Sequence, residues 1–462
     1  MVPWCGIGAG RGVLFFIPWF TGSLCPYGQP SRLWFAWAGN RGGIVHMSHS
    51  PFFPTWESFN AHLDSLGLFR MKPGLERVHE GVARLNLGNP CLTLVHIVGT
   101  NGKGSTAAFL HAIASAHGYT TGVFTSPHFV TPRERIRIGG EMLSREAWLD
   151  LANDVYAACP ELEFSYFELL TLMAMLAFVR EGVDLAIMEA GLGGTWDATS
   201  VFAHHLTLVT PVGMDHEQVL GSTLEAIARD KAGAIEGGEV VCAPQQPGIG
   251  DIFRTRADAK EAGFREMPRD GGFVCPDGAM LDIDQIRLGL AGAFQKTNAR
   301  LALAGWSVCS RIRGWSFSSL ECMHGLSHAR HPGRMQIIPG DPMVLLDGAH
   351  NLMGLEALAR SLDQMHFGPE VMIFSCMKDK NLLDHLDRVR ALCSGLILVP
   401  GIPDNSRAMD PHDLARLLGP RARACSSMHE AFDVIGKTGK RVLVCGSLFL
   451  LGEYFRMRPD ML

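Results

Sequence analysis

Gly99-Thr100-Asn101-Gly102-Lys103-Gly104-Ser105 is the stretch on which the fold turns. It follows an apolar run at residues 92–98 (LTLVHIV) and leads into a helical pattern from Ser105 to about residue 117 (STAAFLHAIASAH). A strand, a glycine turn holding one lysine, a hydroxyl residue and then a helix together make a phosphate cradle. The glycines let backbone N–H groups approach phosphate oxygens, the helix N-terminus adds positive potential, and the lysine adds a full charge. The expected ligand is a nucleoside triphosphate, ATP or GTP, with Ser105 placed to touch Mg²⁺. The spacing is irregular. The common pattern puts four residues between its first glycine and Gly-Lys-[Ser/Thr]. Here two residues separate Gly99 from Gly102, and Gly104 stands between Lys103 and Ser105. A glycine-rich turn that binds nothing would give no reason for three glycines around one lysine.

Outward from this loop the chain alternates strand-like and helix-like runs. Strands are expected at 121–125, 184–189, 206–210 and 240–243, with helices at 146–158 and 167–180 between them. This β-α alternation predicts a mostly parallel sheet covered on both faces. Residues 246–284 are rich in Gly, Asp and Arg and read as turns and short antiparallel strands. A helix at 297–309 then precedes a second alternating unit, with strands at 343–347, 371–376, 396–399 and 441–445. Its helices are expected at 352–365, 382–393, 411–418 and 428–435. The fold class is α/β: a phosphate-loop, mostly parallel ATP-binding domain (47–312), a hinge (313–331) and a smaller Rossmann-like domain (332–462). No internal repeat or low-complexity tract is evident.

Composition narrows the function. The 462 residues allow two or three domains with an ample core, and 47% hydrophobic with 19% charged residues describes an ordinary globular protein. The formal charge is −5 and no basic stripe is visible, which argues against a nucleic-acid partner. Twelve cysteines form no C-x-x-C pair, which favours reduced thiols in a cytoplasm over a disulfide scaffold or zinc site. The longest apolar stretch, 169–179, is too short to span a bilayer, so no membrane partner is expected. Residues 1–46 are rich in Gly, Trp and Phe and could be a signal peptide or an extension ahead of Met47. The extension is preferred, because ordered patterning begins only near Trp56.

Several strand ends carry polar residues: Ser126-Pro127-His128, then Glu189 with its glycine-rich sequel, then Met214-Asp215-His216. Ligands of open parallel sheets gather at the carboxyl ends of strands. Ser126, Glu189 and His216 are therefore candidate Mg²⁺ ligands beside the phosphates, although oxygen donors are more usual than histidine. Singly, each has an ordinary reading as a turn, a helix cap or a polar loop; together, after a phosphate loop, they point to a metal.

With these residues in hand, the chain resembles the Mur ligase superfamily, and within it the bifunctional dihydrofolate synthase/folylpolyglutamate synthases. The resemblance rests on 95–105, Ser126-Pro127-His128, Glu134-Arg135-Ile136-Arg137-Ile138, Tyr166-Phe167-Glu168, 189–200 (EAGLGGTWDATS), Asp215-His216 and Lys231-Ala232-Gly233. It continues through Gln295, Asn298-Ala299, Pro332-Gly333-Arg334, Asp347-Gly348-Ala349-His350-Asn351, Met377-Lys378-Asp379-Lys380 and Val444-Cys445-Gly446-Ser447, in order from about Phe53 to Phe455. It implies an ATP-dependent ligase that phosphorylates a carboxylate and joins it to the amine of L-glutamate, acting on dihydropteroate, on folates or on both. It implies that Asn101, Gly102, Lys103, Gly104, Ser105 and Thr106 hold the ATP phosphates. Asn298, Arg334 and Asp347 match residues that hold the nucleotide. Ser126, Glu189 and His216 match the magnesium ligands, with two ions expected. Lys231 matches a lysine that the family carbamylates; without the resemblance it reads as a solvated helix charge. Ser165, Tyr166, Phe167, Glu168, Thr195, Trp196 and Asp197 match stretches that bind the pterin substrate. His350 could orient the incoming amino acid or be a buried structural histidine.

One departure stands out. The family commonly has Arg-Leu-Asp where this chain has Thr195-Trp196-Asp197. A ring stacked on the indole and an altered substrate preference are both open explanations. A cell-wall Mur ligase is disfavoured, since only 46 residues precede the family-like start whereas a dedicated UDP-binding domain of ~100 residues would be a normal size. A phosphate-loop switch or a non-catalytic ATP-binding module are the rivals of another class. A monomer is expected.

Overall fold

The apolar run at 92–98 forms strand β1 (Thr93–Val98), all six residues of which are buried. Such a continuous apolar strand belongs inside a parallel sheet with both faces covered, and that is where it lies. The computed structural model describes residues 52–462 apart from 69, 71, 89, 270, 379, 381 and 438. The extension assigned to 1–46 and the motif residue Asp379 fall outside the described residues.

Two helices, α1 (Trp56–Leu66) and α2 (Glu76–Arg84), precede β1. After it come α3 (Lys103–Ala116), β2 (Thr121–Phe124), β3 (Ile136–Ile138), β4 (Glu141–Met142), α4 (Arg145–Ala158), α5 (Tyr166–Arg180) and β5 (Leu185–Glu189). The first sheet is completed by β6 (Leu206–Val209), the short α6 (Glu217–Leu220), α7 (Leu224–Ala232), β7 (Glu239–Cys242), α8 (Ile249–Ala259) and β8 (Gly263–Glu266). Its strand order is β4-β3-β2-β5-β1-β6-β7-β8. The β2–β3 and β3–β4 pairs are antiparallel and the others parallel. A hairpin, β9 (Phe273–Val274) and β10 (Met280–Leu281), leads into α9 (Gln295–Arg313) and α10 (Ser319–His328).

Alternation along β1 sorts the layers. Val95 and Ile97 face a core built with Phe109, Leu301 and Trp306 of α3 and α9. Leu94 faces the opposite core, with Trp148 of α4 and Leu169 and Met173 of α5. The second sheet has the order β11-β12-β16-β13-β14-β15. Its strands are β11 (Gln336–Ile338), β12 (Met343–Leu346), β13 (Val371–Phe374), β14 (Leu396–Pro400), β15 (Ala422–Cys425) and β16 (Arg441–Cys445). Only the β11–β12 pair is antiparallel. Helices α11 (Leu352–Gln364), α12 (Leu386–Ala391), α13 (Pro411–Leu418), α14 (Met428–Ile435) and α15 (Leu448–Met457) cover it. Phe129, in the loop after β2, packs on Phe455 of α15 with ring centroids 4.9 Å apart and so ties the first sheet to the second unit.

Two expectations are corrected. Residues 246–284 are not all turns and antiparallel strands: α8 and the parallel edge strand β8 extend the first sheet. The helix buries Ile249, Phe253 and Ala257, four residues apart, while charged residues on its other face mask the pattern. The stretch 313–331 contains α10, whose Gly325 meets the backbone of Ile113 in α3, so the connection between the sheets shortens to the segment between α10 and β11. Among the described residues ten cysteines are free thiols and no helix is long and apolar enough to cross a membrane.

Leu208, on the interior strand β6 of the first sheet, is fully buried. Leu208→Ala should lower unfolding free energy by about 2–5 kcal/mol, read by chemical denaturation, with the spread set by how far α9 can collapse into the gap.

Candidate active site

The turn after β1 depends on glycine at two points. Gly99 has φ +141° and Gly102 φ +92°. A Cβ at Gly99 would lie 2.0 Å from Thr210 Oγ1, and one at Gly102 2.3 Å from Asn298 Oδ1. The turn delivers the chain into α3 with no side-chain cap and no acidic residue in the first turn. A 14-residue helix therefore points unneutralised N–H groups outward, which is an anion site by construction. Thr106 is set back from this mouth: it is buried and its N–H closes on Gly102 O at 2.8 Å. Ser105 Oγ accepts from Gln295 Nε2 at 3.2 Å, and Asn298 Nδ2 donates to Gln295 Oε1 at 2.9 Å. α9 thus braces the loop from behind.

Two ammonium groups converge on the loop. Lys103 Nζ donates to the carbonyls of Gly99 and Thr100 at 3.3 and 3.2 Å. Lys231, from the last turn of α7, donates to the same Gly99 carbonyl at 2.9 Å. Lys231 is only 5% exposed. Burial, and then the charge of Lys103, push its amine down to about 7. The expectation of a solvated helix charge is thereby excluded.

The strand ends supply the next ring of residues. Ser126, just after β2, donates its N–H to Glu189 Oε2 at 3.1 Å. Glu189, the last residue of β5, is buried; burial raises its pKa against the pull of Lys103, Arg334 and Arg135. Arg135 is also buried, with its Nε donating to His128 Nδ1 at 2.9 Å and its guanidinium over the Tyr166 ring at 5.2 Å. His216 adopts a left-handed backbone (φ +53°) at the start of α6. Burial and then Lys380 push its imidazole down to about 4.

Asp215 joins the two sheets. Its carboxylate takes Lys380 Nζ at 2.5 Å and Asn351 Nδ2 at 2.9 Å, with His350 Nε2 at 3.7 Å. Burial opposes its charge, but His350 and Lys380 hold it well below the usual carboxylate range. Asn351 and Asn101 exchange amide hydrogen bonds at 3.0 and 3.1 Å, and Asn351 also caps α11. Asp347 accepts from the N–H groups of Met335 (3.0 Å) and Ala349 (2.9 Å), while His350 Nδ1 lies 2.7 Å from Gly348 O.

All of this surrounds one cavity of about 1290 Å³ between the two sheets. Asn101 to Ser105, Ser126, Glu189, His216, Lys231, Asn298, Arg334, Asp347 and His350 line it. So do Ser165, Phe167, Glu168, Trp196 and Asp197 on a second wall, whereas Thr106, Tyr166 and Thr195 do not. On that wall the polar side chains are already engaged. Glu168 caps α5 and pairs with Arg77 at 2.8 Å, and Ser165 completes the same cap. Thr195, outside the lining, donates its Oγ1 to Asp230 O at 2.9 Å. Phe167 remains as an apolar surface, and Trp196, 63% exposed, stands open at the rim.

A space this size exceeds the usual small-ligand pocket and suits a nucleotide with a second substrate. The Mur ligase middle domain family matches residues 97–238, and the Mur ligase glutamate ligase domain family matches residues 333–448. The dihydrofolate synthase/folylpolyglutamate synthase of Bacillus subtilis (strain 168) is 34% identical over 415 residues, which cover 83% of this chain and 95% of that protein. The chain belongs to this family. Among solved structures, E. coli FolC in complex with DHPP and ADP superposes with a TM-score of 0.78 at 28% identity, covering 88% of this chain and 98% of that one. The Yersinia pestis bifunctional folylpolyglutamate synthase/dihydrofolate synthase complexed with AMPPNP and Mn ion gives 0.77 at 26% identity, covering 88% and 98%.

In this Mur-type ligase the first matched stretch brings Lys103, Ser126, Glu189, His216 and Lys231, and the second Arg334, Asp347 and His350. Sequence reading left Arg135, Asp215, Asn351 and Lys380 out of the site, although each stood inside a quoted motif. Their signal is tertiary: Asp215 and Lys380 are 165 residues apart in the chain and meet only across the cavity.

The depressed Lys231 amine has a measurable consequence. Its folded value is about 7 against an ordinary 10.5, so between these pH values the unfolded chain binds more protons. Stability should therefore rise with pH across that window and stay fully penalised below it. Denaturation in CO₂-free buffer should show the wild type gaining on Lys231→Met as pH goes from 7 to 9; a constant difference would mean an unperturbed amine.

Proposed function

We propose that this protein is an ATP-dependent ligase that adds L-glutamate to dihydropteroate, to the γ-carboxylate of (tetrahydro)folates, or to both, giving ADP and phosphate. The observation that carries the reading is the uncapped N-terminus of α3 with two lysines, opening into a cavity walled by both sheets. A carboxylate is a poor electrophile. Transfer of the γ-phosphoryl group makes it an acyl phosphate; the glutamate amine then forms the C–N bond as the C–O bond to phosphate breaks and the amine proton is lost. Lys103 and the amides from Asn101 to Ser105 bind the phosphate oxygens and stabilise charge as it shifts. Asn298, Arg334 and Asp347 hold the nucleotide, and His350 orients the incoming glutamate. Phe167 and Trp196 offer the apolar face for the aromatic part of the carboxylate substrate, while Ser165, Tyr166, Glu168, Thr195 and Asp197 shape that wall. Enclosure between two units keeps water from the acyl phosphate.

The donor set fits a hard cation. Among the described residues no three His, Cys, Asp or Glu side chains converge as a metal cluster. Mg²⁺ keeps several waters and takes one or two carboxylates with substrate phosphates, and the buried Glu189 carboxylate and Ser126 on the cavity wall are oxygen donors of that kind. Glu189, Ser126 and His216 are the proposed holders, for up to two ions. When bound, Mg²⁺ supplies neutralisation of charge on the phosphoryl group.

Lys231 is proposed to be carbamylated. An amine near 7 is substantially unprotonated at neutral pH and nucleophilic toward CO₂. N–C bond formation with loss of a proton turns a repelled cation into an anion facing Lys103. The reading also takes the protein as a cytoplasmic monomer acting on small molecules, with neither nucleic acid nor membrane as partner.

Three experiments test it. Purified protein with ATP, Mg²⁺ and glutamate should add one glutamate mass to dihydropteroate, tetrahydrofolate or both, offered separately. Nucleotide turnover without a pteroate or folate would instead mark a switch. Lys231→Ala should fold but lose on the order of 10²–10³-fold in kcat, the scale of removing one electrostatic group. ¹³C-bicarbonate should give a carbamate resonance in the wild type that Lys231→Met lacks; full activity of the variant would remove the carbamate.

A further inference from the structure

Strand β1 carries a histidine in the middle of an apolar run. His96 is fully buried, and strand alternation puts it on the face of Leu94, away from α3. Its Nε2 lies 2.7 Å from Thr199 Oγ1. Thr199 Oγ1 lies 2.5 Å from Asp197 Oδ1, which also accepts the Thr199 N–H at 3.0 Å. The other oxygen, Asp197 Oδ2, accepts the N–H groups of Gly191 and Leu192, each at 2.8 Å. Gly191 and Leu192 line the cavity.

The hydrogens in this chain can be assigned. Asp197 accepts three backbone N–H groups, and the Thr199 hydroxyl donates to its Oδ1 as the fourth contact. Having donated its one proton, Thr199 offers His96 a lone pair. His96 is then the Nε2–H tautomer. Its Nδ1 is buried without a partner, and its ring stacks on His204 with centroids 4.2 Å apart. A second proton on His96 would bury a charge with no acceptor at Nδ1. From the other side the same loop is pinned to α7: Asp230 Oδ1 takes the Gly194 N–H at 2.9 Å, and Asp230 O takes the Thr195 N–H at 3.0 Å. The loop between β5 and the 3₁₀ turn Ala198–Val201 is thus stretched between the strand that feeds the phosphate loop and the helix that carries Lys231.

We propose that His96 is a positioning residue of the ligase site: through Thr199 and Asp197 it fixes the Gly191–Leu192 amides and so the wall against which the carboxylate substrate lies. The proposal rests on the reading of that wall given under the proposed function. It assigns the loop's geometry to a buried chain of hydrogen bonds that begins at a neutral His96. The relay is separate from the ATP phosphate contacts, so its loss falls on one substrate.

The test uses the full chain. Thr199→Val removes the relay atom at constant shape, Thr199→Ser keeps it, and His96→Leu removes the donor. The KM for the pteroate or folate substrate should rise about tenfold in Thr199→Val and His96→Leu, the scale of one hydrogen bond lost. KM for ATP and kcat should stay near wild type, and Thr199→Ser should behave as wild type. ¹⁵N NMR of the wild-type imidazoles should show His96 protonated at Nε2 and bare at Nδ1. An unchanged folate KM in Thr199→Val, a parallel shift of kcat and both KM values, or an Nδ1–H tautomer would each overturn the relay. Should His96→Leu fail to fold, the Thr199 pair and the wild-type spectrum still decide. Absence of glutamate addition by the wild type would overturn the functional reading, while the tautomer would still decide the relay.

Discussion

The carbonyl of Gly99 receives two ammonium groups, Lys103 and Lys231, and the rest of the site is arranged around that constraint. Like charges this close are tolerated only if one loses its proton or a counter-charge arrives. Burial drives Lys231 toward the first. An anionic ligand at the α3 N-terminus would supply the second. The fold therefore holds its phosphate loop in a state that binding relieves, which is the electrostatic preorganisation that transfer of a phosphoryl group needs.

Around that centre the two units are coupled by directional groups as well as by packing. Asn101 belongs to the phosphate loop and Asn351 caps α11 of the second unit, and their paired amides register one against the other. Asp215 adds a buried carboxylate held by Lys380 and Asn351. A buried carboxylate stripped of such partners would be costly, so the alignment of the two units and the charge of Asp215 support each other. Phe129 on Phe455 contributes the apolar part of the same junction. The cavity between the units is walled on one side by charge and on the other by Phe167 and Trp196. That division matches the two kinds of substrate such a ligase must align.

Much of the framework is local and so could be read along the chain. The apolar run before Gly99, the uncapped start of α3, and the polar residues after β2, β5 and β6 each follow from patterns a few residues long. Helix α8 escaped because charged residues between Ile249, Phe253 and Ala257 mask its stripe in a composition-based reading. The helix inside 313–331 is hidden for a related reason: α10 is defined by its seat on α3, where Gly325 meets the backbone of Ile113, far earlier in the chain. Glu168 and Asp197 illustrate a different limit. Both lie on the wall expected to bind substrate, yet their carboxylates are engaged by Arg77, Ser165, Thr199 and loop amides, which residue type alone does not reveal.

By itself the sequence determined that this chain builds an α/β phosphate loop, which strand ends border it, and which family it resembles. These depend on short-range backbone geometry and apolar periodicity. Only the tertiary structure decided which charges meet. Lys231 lies buried against Gly99, Asp215 is clamped by Lys380, and His96 reaches the Gly191 loop through Thr199. Protonation and hydrogen-bond direction are set by burial and by partners far apart in the chain, and neither property is carried by a residue on its own.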